Sequence, residues 1–158
     1  MPPPTIEELS HGIAALARAI GRPVRLMEVC GTHTVAIFRH GIRALLPDTI
    51  RLLSGPGCPV CVTAAADVEG AILLAKNGAA TLATFGDMMR VPGRRESLAE
   101  ARAAGADVQI VYSPLDALAL AAKHPSRELV FFATGFETTS PLVAGTLLEA
   151  ERRGVANF

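Results

Sequence analysis

The chain has 158 residues, half of them hydrophobic, with 15 acidic residues balanced by 15 basic ones. That length suits one ordinary domain, or one domain and the start of another, and the apolar fraction is enough to build a core. Balanced charge excludes the strongly basic face of a nucleic-acid binder, and no apolar run approaches the ~20 residues that span a bilayer. Tryptophan is absent and Tyr112 is the lone tyrosine, so the core must be aliphatic and rich in alanine. The opening Met-Pro-Pro-Pro-Thr-Ile-Glu-Glu lacks the charged and apolar regions of a signal peptide, and a cytoplasmic location is expected. In that compartment a Cys-x-x-Cys pair is more often metal-binding or redox-active than a structural staple.

Thr5 is placed to cap a first helix with Glu7 and Glu8 in its first turn. Ile13, Leu16 and Ile20 then recur at helical spacing, and Gly21 and Pro23 stop the run. Residues 24–30 read as a strand, 31–33 as a loop, 34–46 as a helix and 49–54 as a second strand. After a Pro/Gly-rich cysteine loop, a helix is expected over 63–76, ended by Asn77-Gly78. Residues 80–85 form the third strand, 86–93 a loop, 95–104 a helix and 107–112 the fourth strand. Ser113-Pro114 is a favoured cap and first-position pair for a helix running to 123. Residues 128–134 are the fifth strand, 135–137 its loop, and 138–153 the last helix, closed by Gly154.

Five alternations of strand and helix predict an α/β fold: a parallel sheet flanked by helices, with Rossmann-like βα repeats and right-handed crossovers. The strands are near-continuous apolar runs, as a sheet covered on both faces requires. The expected organisation is an N-terminal helical segment over 1–23 and an α/β domain over 24–126 that carries the cysteine loops. Residues 127–158 would be the first βα unit of an incomplete second α/β domain. Residues 154–158 read as the approach to a sixth strand. Parallel strands all point one way, so Cys30, Cys58, Cys61, Asp87, Ser113 and Glu137 are expected along one edge, where open α/β sheets place their chemistry.

Two settings hold all three cysteines. In Val-Cys-Gly-Thr-His, Cys30 is a candidate thiolate ligand, Gly31 lets backbone approach closely, and Thr32 and His33 can hydrogen-bond whatever the sulfur holds. The alternative is a buried strand-end cysteine with His33 near a helix cap. In Gly-Pro-Gly-Cys-Pro-Val-Cys, Cys58 and Cys61 are close enough in sequence for one disulfide or one metal, and Cys61 precedes a helix N-terminus that favours thiolate. A redox dithiol, half of a zinc site and an inert pair all remain open here. Four zinc ligands would have to come from three cysteines and His33 at atypical spacing. In 86–93, Asp87, Arg90 and two methionines can line a cleft, or form an ordinary connection. Glu137, between a strand and a helix, is either a proton carrier or an acid at a helix N-terminus. His11, His40 and His124 have no ligand-spaced partners and read as surface or packing residues, and Met27 reads as core.

Five stretches together resemble the HypD family of [NiFe]-hydrogenase maturation scaffolds. They are Cys-Gly-Thr-His at 30–33, Gly-Pro-Gly-Cys-Pro-Val-Cys at 55–61 and Phe-Gly-Asp-Met-Met-Arg-Val-Pro-Gly at 85–93, then Tyr-Ser-Pro-Leu-Asp-Ala at 112–117 and Gly-Phe-Glu-Thr-Thr at 135–139. The resemblance runs from about Val24 to the end. It implies a scaffold, rather than a turnover enzyme, for assembly and transfer of an Fe(CN)2CO centre, working with a HypC-like small chaperone and a HypE-like cyanide donor. Cys30 would hold iron, with Thr32 and His33 around it; Cys58 and Cys61 would be the redox dithiol. Glu137 would face the iron loop across a cleft, in proton handling or orientation; the polarity of Asp87 and Arg90 suits hydrogen bonds to the cyanide nitrogens. The family is more than twice as long and carries a [4Fe-4S] cluster whose ligands this chain lacks, so the resemblance implies an N-terminal part. The rivals are a stand-alone thiol–disulfide oxidoreductase using Cys58 and Cys61, or a structural zinc-binding domain. An isolated chain with an unfinished second domain is expected to be poorly soluble.

Overall fold

A computed structural model of the chain describes residues 2–158. In chain order it contains α1 (Ile6–Ile20), β1 (Val24–Glu28), α2 (Gly31–Arg39), a 3-10 turn (Ile42–Leu45), β2 (Ile50–Ser54), the single turn α3 (Pro59–Val62) and α4 (Ala65–Lys76). It continues with β3 (Ala80–Thr84), a 3-10 turn (Gly86–Arg90), α5 (Leu98–Ala103), β4 (Val108–Ile110), α6 (Pro114–Lys123), β5 (Glu128–Phe132), a 3-10 turn (Glu137–Thr139) and α7 (Ser140–Arg153). The alternation is α/β, as the sequence predicts. No helix among the described residues is long and apolar enough to cross a membrane.

All strand pairs are parallel, but they form two sheets rather than one. β1 pairs with β2, Val24 opposite Ile50 through Glu28 opposite Ser54. β3 lies between β4 and β5, with Thr84 opposite both Ile110 and Phe132. The single edge expected to gather six site residues is therefore replaced by two. Cys30 and Cys58 follow β1 and β2; Asp87, Ser113 and Glu137 follow β3, β4 and β5. The chain divides into two compact units, Met1–Cys58 and Pro59–Phe158. The sequence places a boundary after Ser126, whereas β5 here hydrogen-bonds β3 inside the second unit.

In the second unit the apolar strands do what their composition requires. Every residue of β3 is buried. Val68, Ile72, Leu82, Met88, Leu98 and Val108 form one core cluster; Ala83, Val111, Ala117, Ala121 and Leu129 form another. Met88 and Met89 are thus core residues, not cleft lining as one reading of 86–93 had it. Ser113 caps α6 in a capping box with Asp116, and Pro114 occupies its first turn. At the strand starts Asp107 accepts from the Thr81 hydroxyl at 2.6 Å and pairs with Arg127 at 3.0 Å, while Arg127 Nε donates to Thr81 Oγ1 at 2.9 Å. One polar knot ties β3, β4 and β5 together. The buried Asn157 amide nitrogen lies 2.7–3.0 Å from the carbonyl oxygens of Ala121, His124 and Arg127 and holds the tail beside β5. The Leu129 N–H donates to Asn157 O in turn, so the expected strand approach at 154–158 ends as a short bracket.

The first unit is built differently. Thr5 and Glu8 form the capping box that opens α1, and Gly21, at φ +66°, closes it. The helical stripe Ile13, Leu16 and Ile20 does not enter a core: these side chains are 36%, 67% and 50% exposed. Met27, read as core, is exposed as well. A two-stranded sheet offers too little surface to cover both of its own faces.

Candidate metal centre

Cys30 occupies the N-cap position of α2, with extended backbone at φ −132° and ψ 129°. α2 begins at Gly31, three residues earlier than the spacing predicts, because the Cys30 carbonyl accepts from the N–H groups of both His33 and Thr34. This turn brings Thr32 back over the cysteine, with Thr32 Oγ1 3.0 Å from Cys30 Sγ. The hydroxyl is therefore placed to donate to a thiolate. His33 sits exposed on the same first turn.

The second cysteine loop leaves β2 beside the first. Gly55 passes so close to β1 that a Cβ there would overlap the Glu28 carbonyl oxygen. Gly57 then takes φ +89°, a left-handed conformation open to glycine, and turns the chain so that Cys58 faces Cys30. The two sulfurs are 3.8 Å apart, and both residues are half-buried. Cys61 lies in α3, where the Thr63 N–H and hydroxyl both bond the Pro59 carbonyl oxygen, the latter at 2.5 Å. The long helix expected to start beside Cys61 begins instead at Ala65, so the helix end lies further along the chain. The paired thiolates of Cys30 and Cys58, 3.8 Å apart, suit a soft metal ion, and the Cys-x-x-Cys spacing of Cys58 and Cys61 suits reversible disulfide chemistry.

The residues available do not suit every metal group. A [4Fe-4S] cluster takes four cysteine ligands, and this sequence contains three cysteines. The cysteine set fits one ion, not that cluster.

Sequence reading missed Glu28, which sits half-buried beneath the cysteine turn. Its Oε2 accepts from the Cys30 N–H at 3.2 Å and its Oε1 from the Thr34 hydroxyl at 2.5 Å. The Thr34 hydroxyl above all, and then the Cys30 N–H, Ser54 hydroxyl and Gly55 N–H, outweigh burial and hold its carboxyl below the usual carboxylate range. The available signal was an acidic residue closing an apolar strand.

The remaining sequence-predicted residues lie in the second unit. Asp87 and Arg90 are exposed on the 3-10 turn Gly86–Arg90, above buried Met88 and Met89. Glu137 is exposed at the start of its 3-10 turn and lines a cleft of about 480 Å³ together with Phe85, Tyr112, Thr134 and Phe136. Phe85 is steadied there by an edge-on contact with Phe131, ring centroids 5.4 Å apart.

The sequence matches a known family over most of its length. The HypD family model, described as the hydrogenase formation hypA family, matches residues 4–158. The chain belongs to the HypD family. The hydrogenase maturation factor HypD of Escherichia coli (strain K12) is 50% identical over 153 residues, which cover 97% of this chain and 41% of that protein. The Rhodobacter capsulatus factor of the same name is 52% identical over 150 residues (92% of this chain, 40% of that protein). That of Azotobacter vinelandii is 52% identical over 155 residues (98% and 41%). The chain thus spans about two fifths of the length of these HypD relatives.

Proposed function

We propose that the chain serves in [NiFe]-hydrogenase maturation as the metal-handling part of a scaffold that assembles and passes on an Fe(CN)2CO centre. The observation that carries this reading is the pair of half-buried sulfurs of Cys30 and Cys58, 3.8 Å apart, in a chain of the HypD family. Iron is cargo here, not a resident cofactor. Cys30 is its ligand, and thiolate is a soft donor suited to iron that also binds cyanide and carbon monoxide. The Thr32 hydroxyl, 3.0 Å from the Cys30 sulfur, is placed to donate to its thiolate and temper the charge, and His33 is a further donor on the same turn. Cys58 and Cys61 are the redox dithiol, at the Cys-x-x-Cys spacing of thiol–disulfide exchange. Asp87 and Arg90 are assigned to the cyanide nitrogens and Glu137 to proton handling. The partners are a HypC-like small chaperone that shares the iron and a HypE-like cyanide donor, all in the cytoplasm.

The test is iron retention by a Cys30→Ala chain isolated from cells making the other maturation proteins. Loss of iron and of the cyanide and carbonyl infrared bands, with an unchanged circular dichroism spectrum, is expected. Retained cyanide- and carbonyl-bearing iron in that variant would overturn the assignment of Cys30. Bound zinc in place of iron would favour the structural zinc reading.

A further inference from the structure

Cys30 stands at a helix N-cap, yet its own side chain makes no capping bond. The acceptor for that turn comes from two residues earlier. Glu28 takes the Cys30 N–H on one carboxylate oxygen, at 3.2 Å, and the Thr34 hydroxyl on the other, at 2.5 Å. Its two oxygens thus bracket the turn that carries the sulfur. The same residue touches the other cysteine loop. Glu28 stands opposite Ser54 in the β1–β2 register, and Gly55 packs on its carbonyl oxygen with no room for a Cβ. A residue whose carboxylate holds one cysteine loop while its backbone abuts the other does more than end a strand. An alanine there would leave the Cys30 N–H and the Thr34 hydroxyl to find water and would loosen the turn that carries the Cys30 sulfur.

We propose that Glu28 is a positioning residue that fixes the Cys30 turn on the end of β1, beside the Cys58 loop, and so sets the 3.8 Å spacing of the two sulfurs. This rests on reading Cys30 and Cys58 as working thiols. A shared metal ion and thiol exchange both depend on that spacing. A disulfide closes at about 2.05 Å, so sulfurs held at 3.8 Å need little movement, and loosened loops pay in effective concentration.

The experiment uses the 158-residue chain in a Cys61→Ser background. The Cys30–Cys58 disulfide is equilibrated in reduced and oxidised glutathione and scored by mass spectrometry. Glu28→Ala is expected to lower the effective concentration about tenfold, the loss of one or two charge-assisted hydrogen bonds. Glu28→Gln keeps one carbonyl acceptor and should fall between; it carries the test if the alanine variant does not fold. Thr34→Val removes one of the bonds and should cost less than Glu28→Ala. Equal constants in all four chains, or no Cys30–Cys58 disulfide in the parent, would overturn the proposal. Cobalt(II) titration of the chain with all three cysteines, followed by thiolate-to-metal charge-transfer absorption, separates the two ideas. A missing thiolate band there would sink the metal reading, while the glutathione series still decides on Glu28.

Discussion

The two units of this chain solve opposite problems. In Pro59–Phe158, Val68, Ile72, Leu82, Leu98 and Leu118 are all 1% exposed or less. Among the described residues of Met1–Cys58, Ala17 is the one hydrophobic side chain that is buried. Yet the first unit carries Cys30 and Cys58, and it orders them with hydrogen bonds to Glu28 and with the close backbone approach at Gly55. Packing builds the frame in one unit; polar bonds and a glycine place the chemistry in the other. A metal site on lightly packed elements adapts to ligand and partner, because local opening is cheap where few apolar contacts hold.

The largest expected effect breaks this comparison if it fails. Leu82→Ala, at the centre of β3, should cost about 2–4 kcal/mol in urea unfolding, the usual range for a buried leucine. Leu26→Ala, half-exposed on β1, should cost less than about 1 kcal/mol. Similar losses at the two leucines would show that the first unit is as tightly packed as the second. Next in size is metal binding. At one hundred times its dissociation constant an ion adds about 2.7 kcal/mol to the state that binds it. Hydrogen exchange should slow in β1, β2 and the loops after them, with α5 and α6 unchanged. Uniform protection across the chain would remove the distinction.

The second unit was the legible one. Ser113-Pro114 and Asn77-Gly78 announce helix ends through side chains and backbone conformations that few residues supply, and the apolar run of β3 announces a buried strand. The cysteine loops were legible as chemistry because Cys-x-x-Cys and Cys-Gly-Thr-His are uncommon patterns beside strands. Three things were not. Sheet membership depends on which strands pair, and alternation alone is silent on whether five strands make one sheet or two. The stripe on α1 has core periodicity, but periodicity names a face without supplying a partner to cover it. Glu28 was hidden because its role is the position of two oxygens relative to Cys30 and Thr34, a tertiary fact with no spacing rule.

The smallest effects concern charge in the second unit, where packing should leave little for ion pairs to do. Burial works against ionisation of Asp107, but the Thr81 hydroxyl, the Gln109 amide and the Arg127 charge more than offset it, so its carboxyl titrates below the ordinary aspartate range. A depressed folded-state value means stability that is present above the unfolded value, about pH 4, and is lost as pH falls toward the folded one. Arg127 is nearly half exposed, so solvent screening limits the contribution to about 1 kcal/mol or less. Thermal melts of the parent should lose midpoint below about pH 4 faster than those of Asp107→Asn, which has no proton to take up there. On α7, Glu149 is held down to about 2 by hydrogen bonds from Arg152 and Arg153. The two arginines are more than half exposed and Glu149 is only half-buried, at helical spacing, so the pairs save no fully buried charge. Arg152→Ala should therefore leave the midpoint at pH 7 where it was. A shift of several degrees would mean that α7 relies on its charges rather than on the buried face of Thr146 and Ala150, and the contrast between a packed unit and a polar-bonded one would no longer hold at its C-terminal helix.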